Sequence, residues 1–520
     1  MPRIIPRPAK MKMGKGVFEL APETTIHVAG SARTTRAVAQ YLAEVLRPAT
    51  GYPFPIRNGA TGVGPAIILR LGGGDRALGA EGYSLRVTAR QILIAAPAAA
   101  GLFYGVQTLR QLLPTDIFSP SLITRTPWTV PVVAIRDHPR YAWRGLLLDV
   151  GRHFFGREFL LRFIDLMAVH KLNTLHLHLT EDQGWRLAIR KYPRLTQIGA
   201  RRSSSPQPAD RNRPDGRPYG PYFFTPEDIR AIVAHAQARC ITIVPEIEMP
   251  GHSLAALSAY PRLSCTGGPF EPRTFWGVEP DVYCAGKETT FQFLQDVLNE
   301  VLALFPSRFV HIGGDECPKE RWKACPDCQA RMRAEGLRDE HELQSYFIRR
   351  MERHLHRKGR RLIGWDEILE GGLAAGATVM SWRGIEGGIA AAQAGHDVVM
   401  TPTSHCYFDH CQSDNPAQEP ETFGGCLPLE RVYGYDPDPA ELPPAKYKHI
   451  LGVQGNLWSE YLFSWRKVEY MAYPRAAALA EVAWTPQQDR RYEDFRARLD
   501  THLARLDYLG VNYRRPAPGE

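Results

Sequence analysis

No apolar run in this chain of 520 residues approaches the roughly 18 needed to span a bilayer, so nothing in it predicts a membrane helix. The opening Met1-Pro-Arg-Ile-Ile-Pro-Arg-Pro-Ala-Lys has no apolar core of the secretory kind. The sequence therefore reads as cytoplasmic by default, or as secreted or periplasmic if a leader has been removed. Dense Lys/Arg runs interleaved with aromatics are missing too. A net charge of +9 is modest for this length, and no nucleic-acid partner is expected. Arg201, Arg202, Arg211 and Arg213 lie in a Ser/Pro/Asp/Gly-rich stretch that reads as a solvated loop. Cys325-Pro-Asp-Cys328, with Cys317 nearby, looks like half of a zinc site, but no second CxxC pair follows, so no metal is expected. Cys265 and Cys284 flank a loop and could pair in an oxidising compartment. What remains is an ordinary globular composition, 44% hydrophobic and 23% charged, with length enough for two or three domains.

Residues 1–135 read as a separate α+β domain. Val17 to Val28 has strand character, and Arg33 to Arg47 has helical spacing. Pro65 to Leu71, Tyr83 to Val87 and Gln91 to Ala96 are short β-type runs, and Ala98 to Leu113 is helical again. A Pro-rich linker is expected from Pro114 to Pro139. This part carries no cluster of chemically competent residues. Over 136–520 the pattern becomes a regular alternation. Eight apolar strand candidates appear: Gly145–Val150, Leu172–Leu179, Ile241–Ile247, Phe309–Ile312, Arg361–Trp365, Thr378–Trp382, Asp397–Met400 and Ile450–Gly455. Amphipathic stretches of helical length separate most of them. Continuous apolar strands joined by helices predict a parallel sheet covered on both faces, and eight units predict a (β/α)8 barrel, with an open doubly wound sheet as the alternative. The seventh unit is irregular: Thr401 to Lys448 reads as a long loop without a convincing helix.

The most informative segment is Arg308-Phe-Val-His-Ile-Gly-Gly-Asp315-Glu316. A buried strand is broken by two glycines and followed at once by two acids. Adjacent, partly desolvated carboxylates raise at least one pKa, as a proton-holding group requires, although Asp and Glu at that point also suit a helix N-terminus. Barrel enzymes place their chemistry at strand C-terminal ends. Here those ends carry Asp149 with Arg152 and His153, then Glu181-Asp182, Glu246, Glu248 and His252. Asp315-Glu316, Trp365-Asp366-Glu367 and Trp382 follow, with Tyr407 and Asp409 in the loop after strand seven and Trp458 and Glu460 after strand eight. Carboxylates that accept hydrogen bonds from hydroxyls, beside flat aromatic faces that stack on C–H groups, suit a carbohydrate. A competing reading comes from His176 and His178. Spaced by two on a strand, they share a face, as metal-dependent barrel hydrolases require, but packed and hydrogen-bonded histidines would look the same. The His residues expected on strands five and six of such a hydrolase do not appear.

These motifs, in this order, resemble the family 20 glycoside hydrolases, the β-N-acetylhexosaminidases. The resemblance rests on Trp143-Arg144-Gly145 through Asp149-Val-Gly-Arg152-His153-Phe154, His176-Leu-His178 through Trp185-Arg186, and Pro245-Glu246-Ile-Glu248-Met-Pro-Gly-His252. It continues through His311-Ile-Gly-Gly-Asp315-Glu316, Gly364-Trp365-Asp366-Glu367, Tyr407-Phe408-Asp409 and Gln454-Gly-Asn456-Leu-Trp458-Ser-Glu460. The resemblance implies a small α+β domain before a catalytic barrel and a retaining exo-β-N-acetylhexosaminidase needing no cofactor. Its substrate would be an oligosaccharide ending in β-linked N-acetylglucosamine, or N-acetylgalactosamine. Glu316 would be the general acid/base, and Asp315 would hold the substrate's acetamido N–H so that the acetamide oxygen attacks the anomeric carbon. Asp182 and His252 would support the acid/base, and Tyr407 would donate to the acetamide carbonyl. Trp365, Trp382 and Trp458 would wall the site, while Arg144, Asp409 and Glu460 would bind the far hydroxyls. Three departures stand out. Glu181-Asp182 replaces a common Asp-Asp pair, His410-Cys411-Gln412 replaces a Tyr-rich run, and Arg144 lies at the start of its strand, the wrong end for a binding residue. A catalytically inactive sugar-binding protein on the same scaffold is the alternative.

Overall fold

The computed structural model describes residues 2–29, 32–59, 64–72, 75–208, 210–413, 415 and 419–517. The N-terminal part is a seven-stranded mixed sheet. Its spatial order is Lys10–Glu19, Thr129–Asp137, Tyr83–Val87, Gln91–Ala96, Ala66–Leu71, Thr25–Ala29, Ile56–Asn58. The helices Ala32–Thr50 and Ala99–Leu112 pack on it, the second burying Leu102, Phe103, Val106 and Leu109. Two expectations change here. Val17 to Val28 is not one strand: Pro22 and Glu23 turn the chain between two, with Thr24 N–H donating to the Ala21 carbonyl at 2.9 Å. The expected linker contains Thr129–Asp137, which lies between two other strands and buries Val130, Val133 and Ile135 in near-alternation.

Eight parallel strands then close into a barrel: Trp143–Asp149, Thr174–His178, Thr242–Glu246, Phe309–His311, Arg361–Trp365, Thr378–Ser381, Val398–Met400 and Ile450–Leu457. Closure is made by the last strand pairing with the first, from Gly452 opposite Trp143 to Leu457 opposite Leu148, which excludes the open sheet. The outer helices show why the sequence turns where it does. Before Pro226–Gln237, for instance, Thr225 and Asp228 cap each other's backbone N–H groups, and Pro226 occupies the first turn, where its missing donor costs nothing. The seventh unit is not helix-free. It holds the short helices Thr403–Cys406 and Leu429–Gly434 and a 3-10 turn at Pro444–His449. Residues 414 and 416–418 of that stretch lie outside the described ones.

The two parts meet beneath the barrel through buried charge. Lys171 Nζ lies 3.1 Å from Asp137 and 3.0 Å from the Tyr83 hydroxyl, and Trp484 Nε1 donates to Asp137 at 2.9 Å. The final helix, Tyr492–Tyr508, returns to the start of the chain, where Arg505 donates to the Arg3 carbonyl.

Candidate active site

The barrel interior is polar at its centre. Glu246 accepts from His178 Nδ1 at 2.5 Å and Trp365 Nε1 at 2.9 Å, with His311 Nδ1 2.7 Å and His176 Nε2 3.1 Å away, all fully buried. Both oxygens of Glu246 are thus engaged. His176 and His178 are packed, hydrogen-bonded barrel histidines, and their partners hold the Trp365 indole in place.

Above this layer the fourth strand ends at Gly313 (φ +69°) and Gly314 (φ +92°). A Cβ on Gly313 would collide with the Glu248 carboxylate, so the turn needs glycine on two counts. His252 and Glu316, each at a positive φ, are the non-glycine residues that share this strained rim. His252 bridges the acids. Its Nε2 stands 3.3 Å from Glu316 and 3.6 Å from Asp315, and its Nδ1 stands 2.8 Å from Glu181 and 3.2 Å from Asp182. Burial alone would lower the pKa of His252, but the facing carboxylates, Glu181 first, raise it well above the ordinary histidine value. Asp315 is pushed up to about 7 by burial, with Glu246 and Glu316 adding to the effect and His252 opposing it. Glu316, whose side chain is 43% exposed, is lowered by its hydrogen bond to His252. The surroundings thus push the two acids apart, Asp315 upward and Glu316 downward.

A cavity of about 630 Å³ opens at this rim. Asp315, Glu316, His252, Tyr407, Trp365, Trp382, Asp409, Trp458 and Glu460 all line it. Trp365 and Trp458 lie 5.7 Å apart by ring centroid, Tyr407 stacks on Trp382 at 6.3 Å, and Trp382 is fixed by its indole N–H to Glu367 at 2.9 Å. Asp315 Oδ1, Asp409 Oδ1 and Glu460 Oε2 are buried yet have no hydrogen-bond partner among the described residues. Buried polar atoms are almost always satisfied, so three such acceptors around one cavity mark where a ligand's donors belong.

Two of the expected residues do not line the cavity, Asp182 because it backs His252 and Arg144 because it lies elsewhere. Asp182 is not part of the wall; it stands behind His252 and accepts the Leu254 N–H at 2.9 Å. Arg144 is absent from the cavity and its role as a hydroxyl ligand is corrected. Second in its strand, it sits at the barrel's N-terminal end. There its guanidinium is taken by Glu81 (2.8 and 2.9 Å), the Tyr104 hydroxyl (3.0 Å) and the carbonyls of Lys171 and Tyr141. Arg152, past the other end of the same strand, faces the cavity instead, within 3.1–3.4 Å of Glu181, Asp149 and Glu460 and over the Trp458 ring. Its position after a strand C-terminus was the available signal. Glu181, given no role from the sequence, lies nearer His252 than Asp182 does. Arg211, read as solvated loop, reaches the cavity from the hairpin strand Asp210–Pro214, and Trp276 joins it from a segment of no regular structure that carries no sequence signal.

Comparison with known proteins agrees along the whole chain. Residues 141–487 match the family model described as glycosyl hydrolase family 20, catalytic domain, and residues 1–138 match its domain 2. A beta-hexosaminidase of Porphyromonas gingivalis is 51% identical over 99% of this chain, which spans 64% of that relative's length. The solved GH20 beta-N-acetylhexosaminidase from Streptomyces coelicolor A3(2) superposes with a TM-score of 0.86 at 36% identity, covering 99% of this chain and 98% of that one. A mutant Streptomyces plicatus beta-hexosaminidase in complex with the product GlcNAc superposes with a TM-score of 0.85 at 35% identity, covering 99% and 97%.

Proposed function

The chain belongs to glycosyl hydrolase family 20, and on that footing we propose that it is a retaining exo-β-N-acetylhexosaminidase acting by substrate-assisted catalysis. We assign the division between its two domains to the stretch between Asp137, where the last strand of the sheet ends, and Trp143, where the barrel starts, a few residues beyond the expected 135/136. The reading rests on one observation. The aromatic side chains of Trp365, Trp382, Trp458 and Tyr407 line one cavity with Asp315, whose Oδ1 is buried without a partner, while the second acid, Glu316, stands half-exposed.

A terminal N-acetylglucosamine, or N-acetylgalactosamine, fits this arrangement with its acetamide among these aromatics. Asp315 accepts the acetamido N–H and Tyr407 donates to its carbonyl. The carbonyl oxygen attacks the anomeric carbon as the glycosidic C–O bond breaks, and the leaving oxygen takes the proton of Glu316. The product is a cyclic oxazolinium ion. Glu316, now a carboxylate, takes a proton from water as that water opens the ring, and the original configuration returns. Covering Glu316 with sugar strips water from it and raises its pKa toward that of a proton donor. Arg152, Asp409 and Glu460 bind the far hydroxyls. Because those hydroxyls are engaged, the chain cannot extend beyond them and cleavage proceeds from the non-reducing end.

The decisive experiment compares aryl glycosides that share a leaving group and differ only in bearing a 2-acetamido or a 2-hydroxyl group. Intramolecular attack contributes up to ~7–11 kcal/mol, so loss of the acetamide is expected to lower kcat/KM by at least roughly 10³-fold. Comparable rates on the two substrates exclude participation by the acetamide.

A further inference from the structure

We propose that Cys265, Cys284, Cys325 and Cys328 form a tetrathiolate site for one zinc ion. That site would clamp the loop after the third barrel strand to the helix pair after the fourth. The sequence shows a single CxxC and no second pair. The fold supplies the other two sulfurs from 41 or more residues upstream of Cys325 (325 − 284). All four sulfurs lie within 4.8 Å of one another. Cys284 stands 3.6 Å from Cys328 and 3.7 Å from Cys325, and Cys265 stands 3.8 Å from Cys328. A zinc ion with Zn–S bonds of ~2.3 Å at the centre of a tetrahedron requires S···S edges of about 3.8 Å. Covalent S–S bonds would need about 2.05 Å, and all four cysteines are unpaired.

The surroundings favour thiolates held for a metal. Cys284, Cys325 and Cys328 are buried and Cys265 is partly so. The backbone N–H of Gly286 hydrogen-bonds the Cys284 sulfur, two residues before it. Cys325 and Cys328 occupy the cap and first turn of the helix Pro326–Glu335, where the positive end of the helix favours anionic sulfur. Ser264 bridges Tyr283 and Cys284 N–H donates to the Leu263 carbonyl at 2.8 Å, which sets Cys265 and Cys284 side by side. At Gly286 a Cβ would strike the backbone of Asp327 and Cys328, so the two arms touch only because that residue is glycine. Four protein sulfurs close the coordination shell, which makes the site structural and not catalytic.

The clamp bears on the active rim through Tyr283. Its N–H donates to the Pro250 carbonyl at 3.0 Å, and its own carbonyl accepts the Trp322 indole N–H at 2.9 Å. Pro250 precedes His252 by two residues, and Trp322 lies in the segment that follows Asp315 and Glu316.

The test uses the full chain purified under reducing conditions and washed with a weak chelator. Elemental analysis is expected to give one zinc per chain, released when a mercurial titrates the thiols. Protein grown with cobalt is expected to show the intense visible absorption of a tetrahedral tetrathiolate centre. Cys284→Ser and Cys328→Ser are expected to lose at least nine-tenths of the metal, whereas Cys411→Ser, outside the cluster, keeps it. The wild-type stoichiometry decides the matter even if the variants fold poorly. Four freely reactive thiols without metal overturn the proposal, as does an intact mass short by two or four hydrogens, which would show disulfides in place of the site.

Discussion

Arg144 and Arg152 lie eight residues apart on one strand and its exit (152 − 144), and the structure gives them opposite duties. Arg144 is fully buried against Glu81, which is 24% exposed. Removing one partner of a buried ion pair costs about 3–5 kcal/mol, and the partial exposure of Glu81 places Arg144→Ala near the lower figure. That is a large share of the stability of an ordinary domain. Its site is far from the rim, so kcat/KM of the folded variant should stay within about threefold of the parent. Arg152→Ala should do the reverse. It deletes one charged hydrogen bond to a sugar hydroxyl and leaves Glu460 and Glu181 without their shared cation. A charge-assisted bond contributes about 1.5–3 kcal/mol, which converts to a loss of roughly 10- to 150-fold in kcat/KM. Urea unfolding followed by tryptophan fluorescence, paired with initial rates on a chromogenic N-acetylglucosaminide, reads both quantities. Arg144→Ala with wild-type stability and a hundredfold loss of kcat/KM would falsify the assignment, and so would Arg152→Ala with an unchanged kcat/KM.

Glu316→Gln is expected to lose roughly 10²–10⁴ in kcat on substrates with poor leaving groups and far less on aryl glycosides whose leaving group needs no proton; equal losses on both count against the acid role. Asp315, pushed up to about 7 by burial, must be ionised to accept an N–H, so kcat/KM should rise with pH through that value. Asp315→Asn should abolish this limb, and an unchanged acid limb in that variant refutes the assignment. On the alkaline side, Glu181→Gln removes the carboxylate closest to His252, lowers the pKa of that imidazolium, and should shift the descending limb of the profile to lower pH.

The barrel was legible because each of its strands is buried on both faces and therefore reads as an unbroken apolar run. Arg361–Trp365 is recovered to the residue and the other strands to within two or three at either end. Thr129–Asp137 was hidden by Pro131 and by the prolines that flank it. Pro131 pairs with Val17 beside the register shift between Met13 and Val17, where a missing N–H is tolerated, so a residue that normally argues against a central strand sits in one. The short helices after strand seven fall below the length at which a 3.6-residue period registers. Among site residues, those on strand exits could be read from position alone. Arg144 was misplaced because its motif was trusted above its position. The four cysteines escaped because two of the sulfurs reach the CxxC only through the packing of two different loops, a proximity that no local spacing encodes.

The charge balance of the cavity narrows what it can act on. Arg152, His178 and His252 are the cations of its buried wall, Arg211 joins them from the hairpin, and they face Glu181, Asp315, Glu316, Asp409 and Glu460. Burial raises Asp409 well above the usual carboxylate range and raises Glu460 as well, which is how the site tolerates so many acids at close quarters. With those two carboxyls and Asp315 drawn toward their neutral forms, Glu181 and Glu316, both lowered, are the carboxylates that answer the cations. Such a wall suits an uncharged sugar, whose hydroxyls and amide donate to carboxyl oxygens and accept from Arg152. The neutral acetamide is a nucleophile compatible with this rim, because an additional carboxylate would crowd acids of which Asp315 is already pushed up to about 7.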